Sequence, residues 1–203
     1  MALPIKNGVG NGNLMGVSNN HRAYTLSVTQ TEDQQATDNG LSYNLNTGII
    51  SISGAADSAM MYFKNNESQA VVIDAIAIGS GDIQGGGAAS DDMLVTVVKN
   101  PTAGDIVTDA TPVSINANRN FGSANTLQDS LVYKGKDGGT LTDGTVALTL
   151  YSDQGSRLLA GINIELTKGT SIGIKIDPNL SSGTINAYAA IICHVKDAKN
   201  DLS

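Results

Sequence analysis

The chain has 203 residues, 40% of them hydrophobic, and a formal net charge of −7. That length supports one sizeable core, and the 12 Lys and Arg are scattered from Lys6 to Lys199, so no basic patch is offered to nucleic acid or to an anionic membrane surface. A single cysteine, Cys193, and two histidines exclude an internal disulfide framework and leave too few ligands for a structural zinc site.

The opening segment MALPIKNGVGNGNLMG lacks the apolar run of a secretory signal, and no later run reaches the length of about 18 residues that spans a membrane. Export by the usual route is therefore not expected. Residues 1–22 are rich in Gly and Asn, and their apolar points, Leu3, Pro4, Ile5, Val9, Leu14, Met15 and Val17, follow neither the strand nor the helix period. This segment reads as an extended N-terminal arm.

From Ala23 onward apolar and polar residues alternate as half-buried strands require, beginning with Tyr24, Leu26 and Val28. Residues 70–78 (AVVIDAIAI) and 93–98 (MLVTVV) are apolar at nearly every position and suit central strands covered on both faces. Between them GSGDIQGGG (79–87) lacks the lysine of a phosphate-binding loop and reads as a flexible loop tip. The segment NANRNFG (116–122) surrounds Phe121, which is expected to be exposed, with hydrogen-bonding side chains, and reads either as a contact loop or as an ordinary long connection. Val146, Leu148 and Leu150 alternate again. Ile162, Ile164 and Leu166, then a Lys168-Gly169 turn, then Ile172, Ile174 and Ile176 read as an antiparallel hairpin with one wet face. Residues 184–195 place Ile185, Ala187, Ala189, Ile191, Cys193 and Val195 on one face and His194 on the other, as a closing strand that spans the sheet.

Asn39-Gly40, Thr47-Gly48, Asn65-Asn66, Asp137-Gly138 and Asp143-Gly144 supply the positive φ angles of tight turns, so hairpins and short loops are expected to join the strands. The 23 glycines and the lack of a long helical stripe make helix minor. With aromatics scarce, the core is expected to be aliphatic. The expected fold is all-β, a jelly-roll-like antiparallel β-sandwich over residues 23–203.

Adjacent Cys193 and His194 are nucleophile and base in type, but successive strand residues face opposite ways, so a buried thiol beside an exposed imidazole is expected. Asp91, Asp92, Asp105, Asp109, Asp137, Asp143 and Asp153 lie in or near turns, and without Trp to build a sugar platform they read as solvated loop acids rather than a glycosidase pair. The loop KDGGTLTDG (136–144) is the one acidic, Gly-rich candidate for calcium, but it lacks the spacing and closing Glu of an EF-hand. No catalytic residue, cofactor or metal is expected.

Six segments, taken in order, carry a resemblance: LSYNLNTGIISI (41–52), MMYFKNNES (60–68), VVKNPTAGDIV (97–107), NRNFGSANTL (118–127), VYKGKDGGTLTDG (132–144) and LTKGTSIGIKIDP (166–178). Together they resemble tailed-bacteriophage virion structural proteins of the head decoration or cement type. The resemblance implies a homotrimer of β-sandwiches seated on the capsid surface against the major capsid protein, in a virion assembled in the host cytoplasm. It does not cover the arm. Leu3, Ile5, Leu14 and Met15 are its expected apolar anchors, with Phe121 as a further contact to capsid or sister subunit. Two other readings stand beside this one: a phage tail or fibre adhesin binding host carbohydrate, and a carbohydrate-active enzyme on the same scaffold.

Overall fold

In the computed structural model, residues 16–17, 23–24, 31–53, 57–84, 92–108, 111–153, 156–180 and 182–196 are described, and the chain divides into two units, residues 1–31 and 32–203. In the first unit Gly16–Val17 (β1) pairs antiparallel with Ala23–Tyr24 (β2). Leu3, Ile5, Leu14, Met15, Leu26 and Val28 lie outside the described residues.

The second unit runs α1 (Glu32–Asp38), β3 (Ser42–Asn46), β4 (Ile50–Ser53), β5 (Ser58–Lys64), β6 (Val71–Gln84), β7 (Asp92–Lys99), α2 (Asp105–Thr108), β8 (Ile115–Asn118), β9 (Leu131–Lys134), β10 (Thr145–Asp153), β11 (Ser156–Leu166), β12 (Ser171–Asp177) and β13 (Thr184–Val195). Pairing follows a nested rule: β4 with β13, β5 with β12, β6 with β11 and β7 with β10, all antiparallel. This is one long two-stranded ribbon folded so that alternate rungs fall into opposite sheets, and the further pairs β13 with β6 and β12 with β7 close each sheet. Such a ribbon, wound into two antiparallel sheets, is a jelly roll. The inserted β8 and β9 add to the outer sides of β3 and β5. The sheets are ordered β11-β6-β13-β3-β8, with β4 also on β13, and β10-β7-β12-β5-β9.

Two expectations are corrected by this topology. Among the described residues of the second unit no two consecutive strands are hydrogen-bonded to each other, so the connections are not hairpins: most are arches between sheets, and β3 to β4 and β9 to β10 stay within one sheet without pairing. The segments flanking Lys168-Gly169 are strands, but β11 belongs to one sheet and β12 to the other. Asn65, fully buried, holds this arch beside the one from β5 to β6: its Nδ2 donates to the carbonyls of Leu166 (2.8 Å) and Gln69 (2.9 Å), and its backbone exchanges bonds with Thr170 and Gly169. The wet face expected of β12 is covered over its first half only, since Lys175 and Asp177 remain partly exposed. Ser171 and Gly173 are buried, and a Cβ on Gly173 would sit 2.2 Å from Leu141, because residues 100–108 and 135–144 cover that side. A small second core of Ala59, Tyr62, Val98, Ile106 and Leu141 lies there.

Between the sheets lies the main core, where Leu45, Ile52, Phe63, Ile73, Ile76, Ile174, Ile176 and Ile191 retain no exposed surface. Each such side chain contributes about 2–3 kcal/mol of burial free energy. The expected central strands are central: β6 lies between β11 and β13, and β7 between β10 and β12. The expected closing strand, β13, is instead the middle of its sheet, bonded to β6 on one side and to β3 and β4 in series on the other. The first six residues of GSGDIQGGG belong to β6 rather than to a loop, with Ile83 opposite Ile185.

The short helix α1 has local causes that the alternation pattern hides. Thr31 and Gln34 have the spacing of a capping box, and Glu32 and Asp33 complement the helix N-terminus. At the other end Gly40 takes φ +68°, while the Gly40 and Leu41 amides donate back to Thr37 and Ala36, a Schellman closure. Among the described residues no helix is long and apolar enough to cross a membrane.

Candidate functional site

Among the described residues a dense group of ionisable side chains lies on the outer face of the six-stranded sheet, under α1. β13 turns Cys193 into the core and His194 outward, as alternation requires, yet His194 is buried and not the exposed imidazole expected, because α1 covers it. Its Nδ1 is 2.9 Å from Oδ1 and 3.1 Å from Oδ2 of Asp74, and its buried Nε2 has no hydrogen-bond partner but lies 3.9 Å from Glu32 Oε1. Arg119 donates through Nη1 to Asp33 and to Ser42 Oγ (3.0 Å), and stands 3.9 Å from Asp74. Burial works against the charged imidazole, but the hydrogen bond and charge of Asp74, with Glu32 and Asp33, outweigh it and raise the His194 pKa. Burial pushes the Cys193 thiol well up, as for an inert core sulfur.

Asp33, Asp74 and His194 bring ligand atoms within 4.8 Å of one another. The guanidinium of Arg119 already stands against both carboxylates, and its charge opposes a cation there. The arrangement is an ion-paired clamp joining α1, β6, β13 and the loop after β8. Sequence reasoning missed Asp74, although a lone carboxylate inside AVVIDAIAI was a signal: a charge in a central strand requires a partner.

Two of the turn acids, Asp105 and Asp137, hold loops rather than standing free in solvent, a second correction, while Asp143 is exposed. Asp137 accepts from the amide and hydroxyl of Ser53 (2.7 and 3.0 Å), and Asp105 from the amide and hydroxyl of Thr140 and from Lys136. The backbone bond from Thr140 leads in holding the Asp105 carboxyl below its ordinary pKa. These contacts fold 136–144 over β5. Asp91 and Asp109 lie outside the described residues, as do the side chains of Asp92 and Asp153.

Phe121 is 95% exposed, at the tip of a loop stiffened from within. Asn118 Oδ1 accepts from the Asn120 amide (2.9 Å), Asn120 Oδ1 from Gly122 (3.0 Å), and Asn118 Nδ2 donates to the Gly40 carbonyl (2.8 Å). The ring is thus presented by a preorganised support. At the far side of the sandwich a cleft of about 310 Å³ opens between the sheets, lined by Val97, Ala147, Ile164, Leu166 and Ile172 among others.

No family model matches the chain, and no curated protein matches it. Among solved structures, infectious bursal disease virus of the Gx strain aligns at 6% identity with a TM-score of 0.19, covering 78% of this chain and 41% of that one. The VP2 subviral particle of infectious bursal disease virus aligns at 12% identity with a TM-score of 0.16, covering 78% and 43%. The chain thus spans about two fifths of the length of these structures. Likeness at this level carries no inference about fold or function. The jelly roll rests on the strand pairing of the chain itself, and the candidate surfaces on its own exposed residues.

Proposed function

We propose that this protein is a non-enzymatic structural component of a tailed-phage virion, an oligomer, in the simplest form a homotrimer, that binds the outer capsid surface and cements the major capsid protein. The observation that best supports this reading is the distribution of side chains. Among the described residues the ionic groups above are engaged in internal clamps, while large apolar side chains stand out at the sandwich edges, Phe121 most of all. That is a surface for extended contact rather than for turnover in a pocket. Cement proteins gain affinity by engaging a repeated symmetric site with several subunits at once, so modest patches suffice. No cofactor, nucleic acid or membrane enters this reading, and the working location is the capsid surface, reached by assembly in the host cytoplasm.

In the same reading Leu3, Ile5, Leu14 and Met15 anchor the N-terminal arm. Deleting residues 1–20 is expected to leave a folded oligomer that no longer cosediments with capsids stripped of this chain. Equal binding by the truncated and full chains would move the anchor off the arm, and no binding by the full chain would remove the capsid role. A second reading, a tail or fibre adhesin, is favoured by one feature, the exposed ring of Phe121 among asparagines, which suits stacking on a sugar. Binding of the purified chain to host envelopes, lost in Phe121→Ser, would select it.

A further inference from the structure

The six large apolar side chains that stand exposed among the described residues fall into two sets. Ile115 is on β8, Phe121 follows it, and Ile49 adjoins Gly48, which packs against Ser114 just before β8. Val146 and Tyr151 are on β10, and Leu158 is on β11. β8 and β11 are the opposite outer strands of the six-stranded sheet, and β10 is an outer strand of the other. The two sets therefore mark two different edges of one sandwich.

Charge separates the same two surfaces from the rest of the chain. Residues 145–152 of β10 and 158–164 of β11 carry no charged side chain, and residues 111–128 carry only Arg119, which is turned in to Asp33. With a net charge of −7, copies of this chain repel one another over most of their surfaces, and least where these neutral edges meet. Among the described residues β10 and β11 are long outer strands without the lysines or prolines that usually protect an edge from pairing. The cleft of about 310 Å³ opens beside them, apolar at Val97, Ala147, Ile164, Leu166 and Ile172 with Lys99 and Glu165 also in its lining, and it has room for an aromatic ring.

We infer that the β10 and β11 edge is the docking surface for a second copy of this chain, which arrives with its β8 edge and seats Phe121 in the cleft. The inference rests on the oligomeric reading above and specifies its geometry. A knob on one edge and a hole on another make a heterologous contact, which closes into a ring when the rotation between copies allows it. Phe121 reaches the hole already held in place by its asparagine network, so little ordering is required on docking.

The test is complementation between full-length chains, followed by light-scattering mass. Phe121→Asp removes the knob, and the double substitution Val146→Asp and Leu158→Asp charges the receiving edge. All three residues are exposed, so each variant is expected to keep the urea midpoint of the unaltered chain; Tyr151→Lys replaces the double variant should that one fail to fold. Each variant alone is expected to associate about thirtyfold more weakly or worse. Mixed, they are expected to form a one-to-one heterodimer through the single intact knob and the single intact edge. An unchanged oligomer mass for Phe121→Asp would overturn this docking and leave the oligomeric reading in place. A monomeric unaltered chain at every concentration would overturn both.

Discussion

His194 and Asp74 lie 120 residues apart in the chain, and their pairing makes stability depend on pH in a direction that follows from the contacts. With the imidazole protonated, Nδ1 bonds the Asp74 carboxylate and Nε2 turns a positive edge toward Glu32; with it neutral, the buried Nε2 has nothing to bond. The folded protein holds the proton more tightly than the unfolded chain does, because burial, the largest opposing effect, is outweighed by Asp74, Glu32 and Asp33. That stabilisation is fully present below the unfolded pKa of about 6.5 and is lost as pH rises through the raised folded value. Urea unfolding is therefore expected to show stability highest below pH ~6.5 and falling at higher pH. His194→Gln is expected to cost about 2 kcal/mol at the lower pH and less at the higher one, flattening the profile. A profile unchanged by that substitution would dissociate the pair from the pH response.

At the scale of elements, the loop 135–144 shows how a glycine can fix the position of a whole segment. Gly135 donates its amide to the Met60 carbonyl (2.8 Å), and a Cβ there would fall 1.6 Å from the Ala59 carbonyl oxygen. No side-chain rotation relieves a clash with backbone, so Gly135→Ala must lift the loop from β5 and uncover Tyr62 and Leu141. A loss of about 2–3 kcal/mol is expected in urea unfolding. Gly138→Ala is the control for space, since nothing lies within 4 Å of a Cβ there, although its φ of +63° adds backbone strain.

Which side of each strand faces inward was legible in the sequence: the alternation of Ile185, Ala187, Ala189, Ile191, Cys193 and Val195 matches a buried face. Which strand bonds to which was not. Lys168-Gly169 reads equally well as a hairpin turn or as an arch, since both reverse the chain with one glycine at positive φ, and the difference lies in Asn65, 101 residues before the Leu166 carbonyl it binds. The clamp at His194 was hidden for a related reason. Alternation put its ring on the outer face, but only α1, signalled by Thr31, Gln34 and Gly40, makes that face an interior. Phe121 needed no tertiary knowledge, because glycine and asparagines around one aromatic ring mark a presented tip.

For the whole molecule, the nested ribbon makes its last strand a condition for the rest. β13 bonds β6 along one side and β3 and β4 along the other, so without it the six-stranded sheet falls into separate pieces. It also supplies six of the side chains that face the opposite sheet, all buried. Earlier strands cannot compensate with local pairs, because among the described residues of the second unit no neighbouring strands in sequence bond to each other. The entropy of closing long loops must then be offset by contacts that exist only after residue 195 is in place. A chain ending at residue 183 is thus expected to remain protease-sensitive and to lack a cooperative urea transition, whereas a chain beginning at residue 32 keeps every pair of the jelly roll and is expected to retain one. Adding residues 184–195 back as a separate peptide is expected to restore protection in the shortened chain. Native-like protection of the shortened chain by itself would show that the remaining sheets close without their central strand.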